Sequence, residues 1–340
     1  MITIIIRNGK DYDLGGPQEI MQRKWIKGWV LPFALLAVML AGCGRGSSGT
    51  IVEGKVNVVT TFYPIYEFAK EIGGDDVNAI NLLPVGVEPH DWTPRSQDIV
   101  NTSKAQLFLY NGAGLEGWVP NFLKSLESDS QVQAVEVSKG VDLIKTNEEE
   151  EGHDHGAGVA EDSGDTLHTD PHTWVSPKSA LIMAKNIKDS LVKADPAHQA
   201  NYEERYEAVA GKLKDLDAKF ETELAKMPNK EIVVSHQAFA YLCRDYGLTQ
   251  HAIMGLSPDA EPTGQDLVKL ADMVKKDKIR YIFFEELVSD KLAKTLASEA
   301  GVSTMVLNPL EGLTEEQEKN NENYYTLMEK NLQNLILALK

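Results

Sequence analysis

The alternation of β-rich and helical hydrophobic patterns predicts an α/β fold in each half of the chain. In the first half, three β-rich runs lie at Val56–Thr60, 105–110 and 132–135. Two helical patterns lie between them, at 65–72 and 116–126. In the second half, four β-rich runs lie at 231–235, 251–254, 280–284 and 303–307. They alternate with four helical patterns, at 239–246, 264–275, 290–299 and 315–339. Because strands that alternate with helices usually pair in parallel, we expect α/β lobes that each contain a mostly parallel sheet.

One long helical pattern, at 199–227, separates the two halves. Its apolar positions are spaced three and four residues apart with charged residues between them, and they are Tyr202, Tyr206, Val209, Leu213, Leu216, Phe220 and Leu224. At about 1.5 Å per residue, this helix would be roughly 40 Å long. We therefore predict an N-terminal lobe at 56–198 and a C-terminal lobe at 228–340, bridged by one long rigid helix.

The beginning of the chain has the features of an export and anchoring signal. Three basic residues precede an apolar run at 29–40, which is too short to span a bilayer as a mature helix. The run ends in Leu-Ala-Gly-Cys43, which resembles the lipobox of bacterial lipoproteins, in which the cysteine is lipidated. The alternative is an ordinary secretory signal with an incidental cysteine. We expect residues 1–42 to be an upstream extension and a signal peptide, with translation starting at Met21, and residues 43–55 to be a flexible tether.

The charge of the chain favours cations over nucleic acids as partners. The formal net charge is −17 at pH 7, and such a surface repels phosphate backbones while it attracts cations. The chain has 2 cysteines, and if Cys43 carries lipid, only Cys243 remains, so no disulfide between two core cysteines is expected. Cys243 follows a helical apolar run and is expected to be a buried apolar filler.

An acidic, histidine-bearing segment occupies residues 147–168. Four consecutive glutamates precede His153 and His155, and the segment is too polar and too rich in glycine to bury a core. Two interpretations stay open: a mobile auxiliary site in which these two histidines bind metal weakly, or a solvated loop. Other histidines outside the main candidates are His198, which we expect to be solvated, and His168 and His251, whose roles stay open.

Two histidines lie in a repeated Pro-His-x-Trp pattern, in the segments Pro-His90-Asp-Trp and Pro-His172-Thr-Trp. The proline restrains the backbone ahead of the imidazole, and the tryptophan offers a large apolar anchor beside it. Histidines held in this way are candidate metal ligands. His236 and Glu311 each follow the carboxyl end of a predicted strand, where open α/β sheets place their ligands. A metal held between the two halves is the hypothesis that follows.

With these residues assembled, the chain resembles the metal-specific solute-binding lipoproteins of ABC transporters, the cluster A-I proteins, and most closely their zinc branch. The resemblance covers essentially everything after residue 56, and its ordered motifs are Thr-Phe-Tyr-Pro64, Glu-Pro-His90, Asp-Pro-His172-Thr-Trp, Val-Ser-His236-Gln-Ala-Phe, Ser-Pro-Asp259-Ala-Glu-Pro and Asn-Pro-Leu-Glu311. It implies two α/β lobes bridged by a long helix, with the metal in the cleft between them. It also implies that the metal ligands are His90, His172, His236 and Glu311, with Glu285 and Glu286 as rivals for the fourth place.

The implied ligand set suits a carrier of Zn²⁺. Three imidazoles and a carboxylate fill a tetrahedral zinc shell without a free water position, and the sequence contains no His-Glu-x-x-His helix and no nucleophile elbow. Manganese-specific relatives have a carboxylate at the place of His236, so the imidazole favours zinc. The resemblance therefore implies an extracytoplasmic, high-affinity zinc-binding component of an ABC importer. We expect it to be lipid-anchored to the outer face of the bacterial cell membrane and to deliver Zn²⁺ to a permease.

Three alternatives stay open at this point: a manganese- or iron-binding member of the same family, a zinc-dependent enzyme, and a metal-stabilised adhesin. An enzyme would need an open coordination position and a nearby general base. A protein with structural metal would unfold on chelation, whereas a carrier stays folded and binds metal again. We expect no enzymatic activity, no nucleic-acid partner and a monomer.

Overall fold

The N-terminal lobe is built on a parallel sheet of four strands. The computed structural model describes residues 49–126, 128–146, 168–259 and 262–340. The strands of this sheet lie in the order β2-β1-β3-β4, and they are β1 (Val56–Thr60), β2 (Val77–Asn81), β3 (Leu107–Tyr110) and β4 (Gln133–Glu136). Val58 packs into the main hydrophobic cluster and its neighbour Val59 into a second cluster, so both faces of the central strand are covered. This is typical of a parallel sheet.

Four helices accompany this sheet, and they are α1 (Tyr63–Gly73), α2 (Ser96–Ser103), α3 (Val119–Lys124) and α4 (Pro177–Ala194). The hydrophobic pattern missed β2 and α2. Strand β2 interleaves Val77 and Ile80 with asparagines, and α2 is short and mostly polar, so neither shows a clear periodicity. Two short antiparallel strands, β5 (Lys145–Thr146) and β6 (His168–Thr169), pair on either side of the acidic segment.

The long predicted helix is confirmed as α5 (Gln199–Ala225), a helix of 27 residues. All its buried side chains except Ala210 belong to the predicted apolar stripe, of which Tyr206 is only half-buried. The helix packs against α1 and α4 of the N-terminal lobe. It therefore lies on the lobe along part of its length and is not a free connection.

The C-terminal lobe repeats the arrangement with a second parallel sheet of four strands. Their order is β10-β9-β7-β8, and they are β7 (Glu231–Val234), β8 (Thr249–Ala252), β9 (Tyr281–Phe284) and β10 (Ser303–Val306). The accompanying helices are α6 (Ala240–Tyr246), α7 (Gly264–Lys276), α8 (Lys291–Ala300), α9 (Glu315–Lys319) and α10 (Tyr324–Leu339). Strand β8 begins two residues earlier than the β-rich run predicted, because its first residues, Thr249 and Gln250, are polar.

The prediction of one continuous helix at 315–339 is wrong. The chain leaves the helical conformation after Lys319, and Asn321 adopts a positive φ of 54°. Asn323 then caps the next helix, because its side chain accepts a hydrogen bond from the backbone N–H of Thr326 at 3.0 Å. Asparagine tolerates the left-handed conformation and is a strong N-cap, so the break follows from local side-chain chemistry that apolar periodicity does not register.

The bridging helix joins the two lobes through a shared core. Helix α10 packs against α5, and Phe68 of α1, Phe220 of α5 and Tyr324 of α10 belong to the same buried hydrophobic cluster. The rings of Phe68 and Tyr324 are 4.9 Å apart between centroids. The lobes are therefore joined by buried side chains as well as by the covalent chain.

Within the described residues, no helix has both the length and the apolar character required to cross a membrane. The predicted signal peptide, Cys43 and the two loop histidines His153 and His155 lie outside the described residues.

Candidate metal centre

The four residues implied as ligands lie together in the cleft between the lobes. One donor atom from each of His90, His172, His236 and Glu311 lies within 4.8 Å of all the others. We call this set the four-residue cluster. His172 and His236 are completely buried, and the side chains of His90 and Glu311 are 4% and 1% exposed.

Each member of the cluster lies in a loop beyond the carboxyl end of a strand. His90 follows β2 and His172 follows β6 in the N-terminal lobe, while His236 follows β7 and Glu311 follows β10 in the C-terminal lobe. Parallel strands bring their carboxyl ends to one edge of a sheet, which accounts for His90, His236 and Glu311, whereas His172 follows the second strand of the antiparallel pair β5–β6. Each lobe thus contributes two donors.

The spacing of the donor atoms matches a tetrahedral ion of the size of zinc. The Nε2 atom of His172 is 3.2 Å from the Nε2 atoms of both His90 and His236. Oε1 of Glu311 is 3.5, 3.4 and 3.4 Å from the Nε2 atoms of His90, His172 and His236. Zinc bonds of about 2.0–2.1 Å place neighbouring ligands of a regular tetrahedron about 3.3–3.4 Å apart. Five of the six distances between donors are therefore close to those of a zinc shell.

Two carboxylates orient two of the imidazoles. Oδ1 of Asp170 is 2.9 Å from both Nδ1 and the backbone N of His172. Oε1 of Glu285 is 2.7 Å from Nδ1 of His236 and also accepts a hydrogen bond from the hydroxyl of Ser235. An N–H donated from Nδ1 leaves the lone pair of Nε2 directed at the centre of the cluster, which is the tautomer that binds metal.

The two rival carboxylates are not in the four-residue cluster. Glu285 is the hydrogen-bond partner of His236, and Glu286 accepts hydrogen bonds from the side chains of Asn308 and Gln317. The partner roles of Asp170 and Glu285 were not predicted from the sequence. Asp170 could have been found, since a carboxylate two residues before a histidine is within reach of its ring, but Glu285 is distant in sequence from His236.

His90 is fixed through its backbone. Both carboxylate oxygens of Glu88 accept from the backbone N–H of His90, at 2.9 and 3.1 Å. Burial and the nearby charge of Glu311 raise the pKa of Glu88 to about 7, while His90 opposes the shift. Glu88 also lines a cleft of about 910 Å³ between the lobes, together with Trp92 on one side and Met254 on the other. Its lining also includes Asp91, so the residues on both sides of His90 border this cleft.

The cluster is electrostatically prepared for positive charge. Burial alone lowers the pKa of His236, but the charges of Glu285 and Glu311 raise it well above its usual value. Burial likewise lowers the pKa of His172, and Asp170 and Glu311 together raise it. Burial raises the pKa of Glu311, but the three facing imidazoles outweigh burial and hold that pKa well below its usual value. The carboxylates therefore favour positive charge at His172 and His236, from protons or from a metal ion.

The segment that carries His172 is held at both ends by the C-terminal lobe. The hydroxyl of Tyr241 donates to the carbonyl of Asp170 and the hydroxyl of Tyr324 donates to the carbonyl of Trp174, each at 2.7 Å. The indole N–H of Trp174 donates to the carbonyl of Pro309, also at 2.7 Å. The tryptophan expected to be an apolar anchor is fully buried and edge-on to Phe62.

The remaining histidines of the described residues do not belong to the four-residue cluster. His198 is 47% exposed, and its Nδ1 is 2.6 Å from Oδ2 of Asp195, so it is exposed as expected but also paired. His251 is half-buried, with its Nε2 2.7 Å from Oε2 of Glu231, and His168 lies half-buried in β6. Cys243 is buried as predicted, and burial raises the pKa of its thiol.

Comparison with known proteins identifies the family of this chain. The family described as "Zinc-uptake complex component A periplasmic" matches residues 58–338. The zinc-binding lipoprotein AdcA of Streptococcus pneumoniae is 43% identical over 303 residues, which cover 89% of this chain and 59% of that longer protein. The high-affinity zinc uptake system protein ZnuA of Bacillus subtilis is 42% identical over 315 residues, covering 92% of this chain and 97% of that protein.

A solved structure shows the same fold. The crystal structure of the Zn(II)-bound ZnuA-like domain of Streptococcus pneumoniae AdcA superimposes with a TM-score of 0.70 at 41% identity, covering 84% of this chain and 99% of that domain. This chain therefore spans less than two thirds of the AdcA lipoprotein but nearly the whole of its ZnuA-like domain. From its fold and from a match over almost all of its described residues, the chain belongs to the family of zinc-uptake complex component A.

Proposed function

We propose that this chain is the extracytoplasmic zinc-binding component of an ABC importer, which captures Zn²⁺ with His90, His172, His236 and Glu311 and passes it to a membrane permease. The observation that carries the proposal is the spacing of four buried donor atoms, five of whose six separations lie between 3.2 and 3.5 Å. The names of the AdcA and ZnuA relatives support zinc as the cargo.

The donor set favours zinc over manganese and disfavours catalysis. Three imidazoles form a nitrogen-rich shell, whereas manganese prefers oxygen donors in larger numbers. A hydrolytic zinc site keeps one position for water, but here Glu311 faces all three imidazoles at 3.4–3.5 Å and fills the fourth position. We therefore propose a carrier without enzymatic activity.

The division of the chain follows from this role. We propose lobes at 56–198 and 228–340 that bracket the cargo, a helix at 199–227 that bridges them, and a tether at 43–55 behind a signal peptide at 1–42. Lipid on Cys43 would hold the protein on the outer face of the bacterial cell membrane beside its permease. The segment at 147–168, with His153 and His155, would act as an auxiliary zinc collector, and the carrier would act as a monomer.

A metal competition titration tests the proposal. The purified protein should bind one Zn²⁺ tightly at the cluster, stay folded when a chelator removes the ion, and bind it again. His236→Ala removes one of the proposed zinc bonds and should weaken affinity severely, whereas His198→Ala changes a surface histidine paired with Asp195 and should have little effect. Displacement of zinc by manganese at comparable concentrations would refute the assignment of the cargo. Equal zinc affinity of the two variants would refute the site.

A further inference from the structure

Glu311 is presented by a strained turn. Leu310, the residue immediately before it, has a φ of 61° and is completely buried. A bulky residue in this left-handed region is an outlier, and such a conformation persists only where the surroundings hold it in place. No hydrogen-bond partner of Oε1 of Glu311 is found among the described residues. Apart from the three imidazoles at 3.4–3.5 Å, the position of this carboxylate therefore depends on the turn that carries it.

A single amide side chain clamps the start of the turn. Oδ1 of Asn331 accepts a hydrogen bond from the backbone N–H of Asn308 at 2.9 Å, and Nδ2 of Asn331 donates to the backbone carbonyl of Asn308 at 2.6 Å. Asn331 lies on α10 and is 1% exposed. Its amide thus satisfies both main-chain groups of one residue, as a neighbouring strand would, at the point where β10 has ended.

The side chain of Asn308 extends the clamp to the strained residue. Its Oδ1 accepts from the backbone N–H of Leu310 at 2.7 Å, and its Nδ2 donates to Oε2 of Glu286 at 2.8 Å. The same oxygen of Glu286 accepts from Nε2 of Gln317 at 2.6 Å. The turn is therefore held from α10 through Asn331 and from α9 through Gln317, and each polar group named has a partner.

We propose that Asn331 is a positioning residue for Glu311, which fixes the turn so that the carboxylate lies at bonding distance from an ion held by the three histidines. This inference rests on the proposed zinc-binding function. His172 and His236 are oriented by carboxylates that contact their own rings, whereas Glu311 is oriented through its backbone by an amide on a distant helix. Loss of the clamp releases the strain at Leu310 and moves the carboxylate away from the imidazoles.

The same helix supplies a matched control. Asn334 lies one turn after Asn331 on α10, and its Nδ2 donates to the backbone carbonyl of Val306 at 2.9 Å. It therefore also bonds the main chain near the end of β10, but it does not contact the turn that presents Glu311. Removal of Asn331 costs two hydrogen bonds to the main chain that follows β10, and removal of Asn334 costs one to the last residue of β10. Only the change at Asn331 should reach the metal.

The experiment compares Asn331→Ala, Asn334→Ala and Glu311→Ala with the wild type, together with the double variant of Asn331 and Glu311. Zinc affinity is measured by chelator competition, the melting temperature is measured without metal, and the visible spectrum of bound Co²⁺ reports the coordination geometry. Asn331→Ala should weaken zinc binding by about 10- to 100-fold, as is typical of residues that support metal ligands, and should alter the Co²⁺ spectrum. Asn334→Ala should lower the melting temperature and leave both metal readouts unchanged.

The double variant separates positioning from general destabilisation. If Asn331 acts through Glu311, then Asn331→Ala should not weaken zinc binding further once Glu311 is alanine. Additive losses, or equal zinc affinities of Asn331→Ala and Asn334→Ala, would overturn the inference. A wild-type protein that fails to bind zinc tightly would instead overturn the proposed function. If Asn331→Ala does not fold, Asn308→Ala replaces it, because it removes the acceptor for the backbone of Leu310 and carries the same expectations.

Discussion

The carboxylate of Glu285 offers a quantitative test of how the protein tunes its metal site. Its Oε1 atom contacts Nδ1 of His236 at 2.7 Å, the backbone N of His236 at 3.3 Å and the hydroxyl of Ser235 at 2.6 Å. Glu285→Gln keeps an acceptor oxygen at this position but removes the negative charge. The ring of His236 should therefore stay oriented while its basicity, and with it the strength of the Nε2–Zn²⁺ bond, decreases.

The expected loss follows from these contacts. Removal of a carboxylate partner of a metal-bound histidine typically costs 10- to 100-fold in affinity. Because the glutamine retains the acceptor, we expect the lower end, about 10-fold or roughly 1.4 kcal/mol. The second oxygen of Glu285, Oε2, is buried and has no hydrogen-bond partner in the part of the chain that the structure describes, so an NH₂ group placed there would lack an acceptor. We therefore also expect the protein to lose about 1–3 kcal/mol of stability.

The dependence on pH gives this prediction its specific signature. The charge of Glu285 raises the pKa of His236, so its removal lowers that pKa. Protons then compete with zinc only at lower pH than in the wild type. The ratio of the variant's dissociation constant to that of the wild type should be largest near pH 8 and should shrink towards about pH 6.

Zinc titrations across this pH range check the prediction, with Glu231→Gln as the control. Glu231 also pairs with a histidine, His251, at 2.7 Å, but it lies at the opposite end of β7. The control should leave zinc affinity unchanged at every pH. A Glu285→Gln protein whose loss of affinity is the same at all pH values would refute the claim that the charge of this carboxylate tunes His236.

Three further predictions concern the anchor, the acidic segment and the metal-free state. Cys43→Ala should release the protein from membranes, because it removes the residue proposed to carry the anchoring acyl chains. Unchanged detergent partitioning would contradict the lipoprotein assignment. Deletion of residues 148–165 should lower the total zinc stoichiometry but leave one tight site, since the four donors of the cluster lie outside the deleted segment. Loss of that site would place the segment in the primary centre. Without metal, the raised pKa values of His172 and His236 contribute stability that is present below about pH 6.5 and is lost as the pH rises through the folded-state values. The melting temperature of the chelated protein should therefore fall on alkalinisation more than that of the zinc-loaded protein, and parallel curves would argue against protonated imidazoles in the cluster.

The layered fold was predictable because its signals are local. The β1 run and the long stripe of α5 are continuous apolar patterns, and both were placed within two residues of their observed ends. Elements whose burial is shared with polar residues were missed, as in β2, where Val77 and Ile80 are three residues apart and do not show the two-residue period of a strand. The break before α10 was missed for another reason, since it depends on the conformation of Asn321 and the cap at Asn323.

The candidate ligands were predictable and most of their partners were not. A histidine that follows a proline or a strand can be recognised as a candidate ligand from its residue type and position. The family resemblance adds Glu311 as the fourth donor. The carboxylate that orients His236 comes from the end of a different strand, β9, and the amide that clamps the turn before Glu311 comes from α10. These contacts exist only once the sheet order β10-β9-β7-β8 is formed, and no local pattern in the sequence encodes that order.

The electrostatics of the cluster imply that zinc enters in exchange for protons. The pKa values of His172 and His236 are raised and that of Glu311 is lowered, so these two imidazoles keep protons to a higher pH than a free histidine does while Glu311 stays ionised. Two protons and one Zn²⁺ carry the same charge, so the exchange leaves the charge of a fully buried centre unchanged and avoids the cost of an uncompensated ion.

We therefore expect up to two protons to be released per zinc bound near and below neutral pH, and fewer as the pH rises through the raised pKa values. Calorimetric titration in buffers of different ionisation enthalpy measures this number directly. Proton release that is negligible near pH 6.5, where even an ordinary histidine is half protonated, would show that the imidazoles are neutral before the metal arrives. The negative charge of Glu311 and its neighbouring carboxylates would then have to be balanced by another source of positive charge.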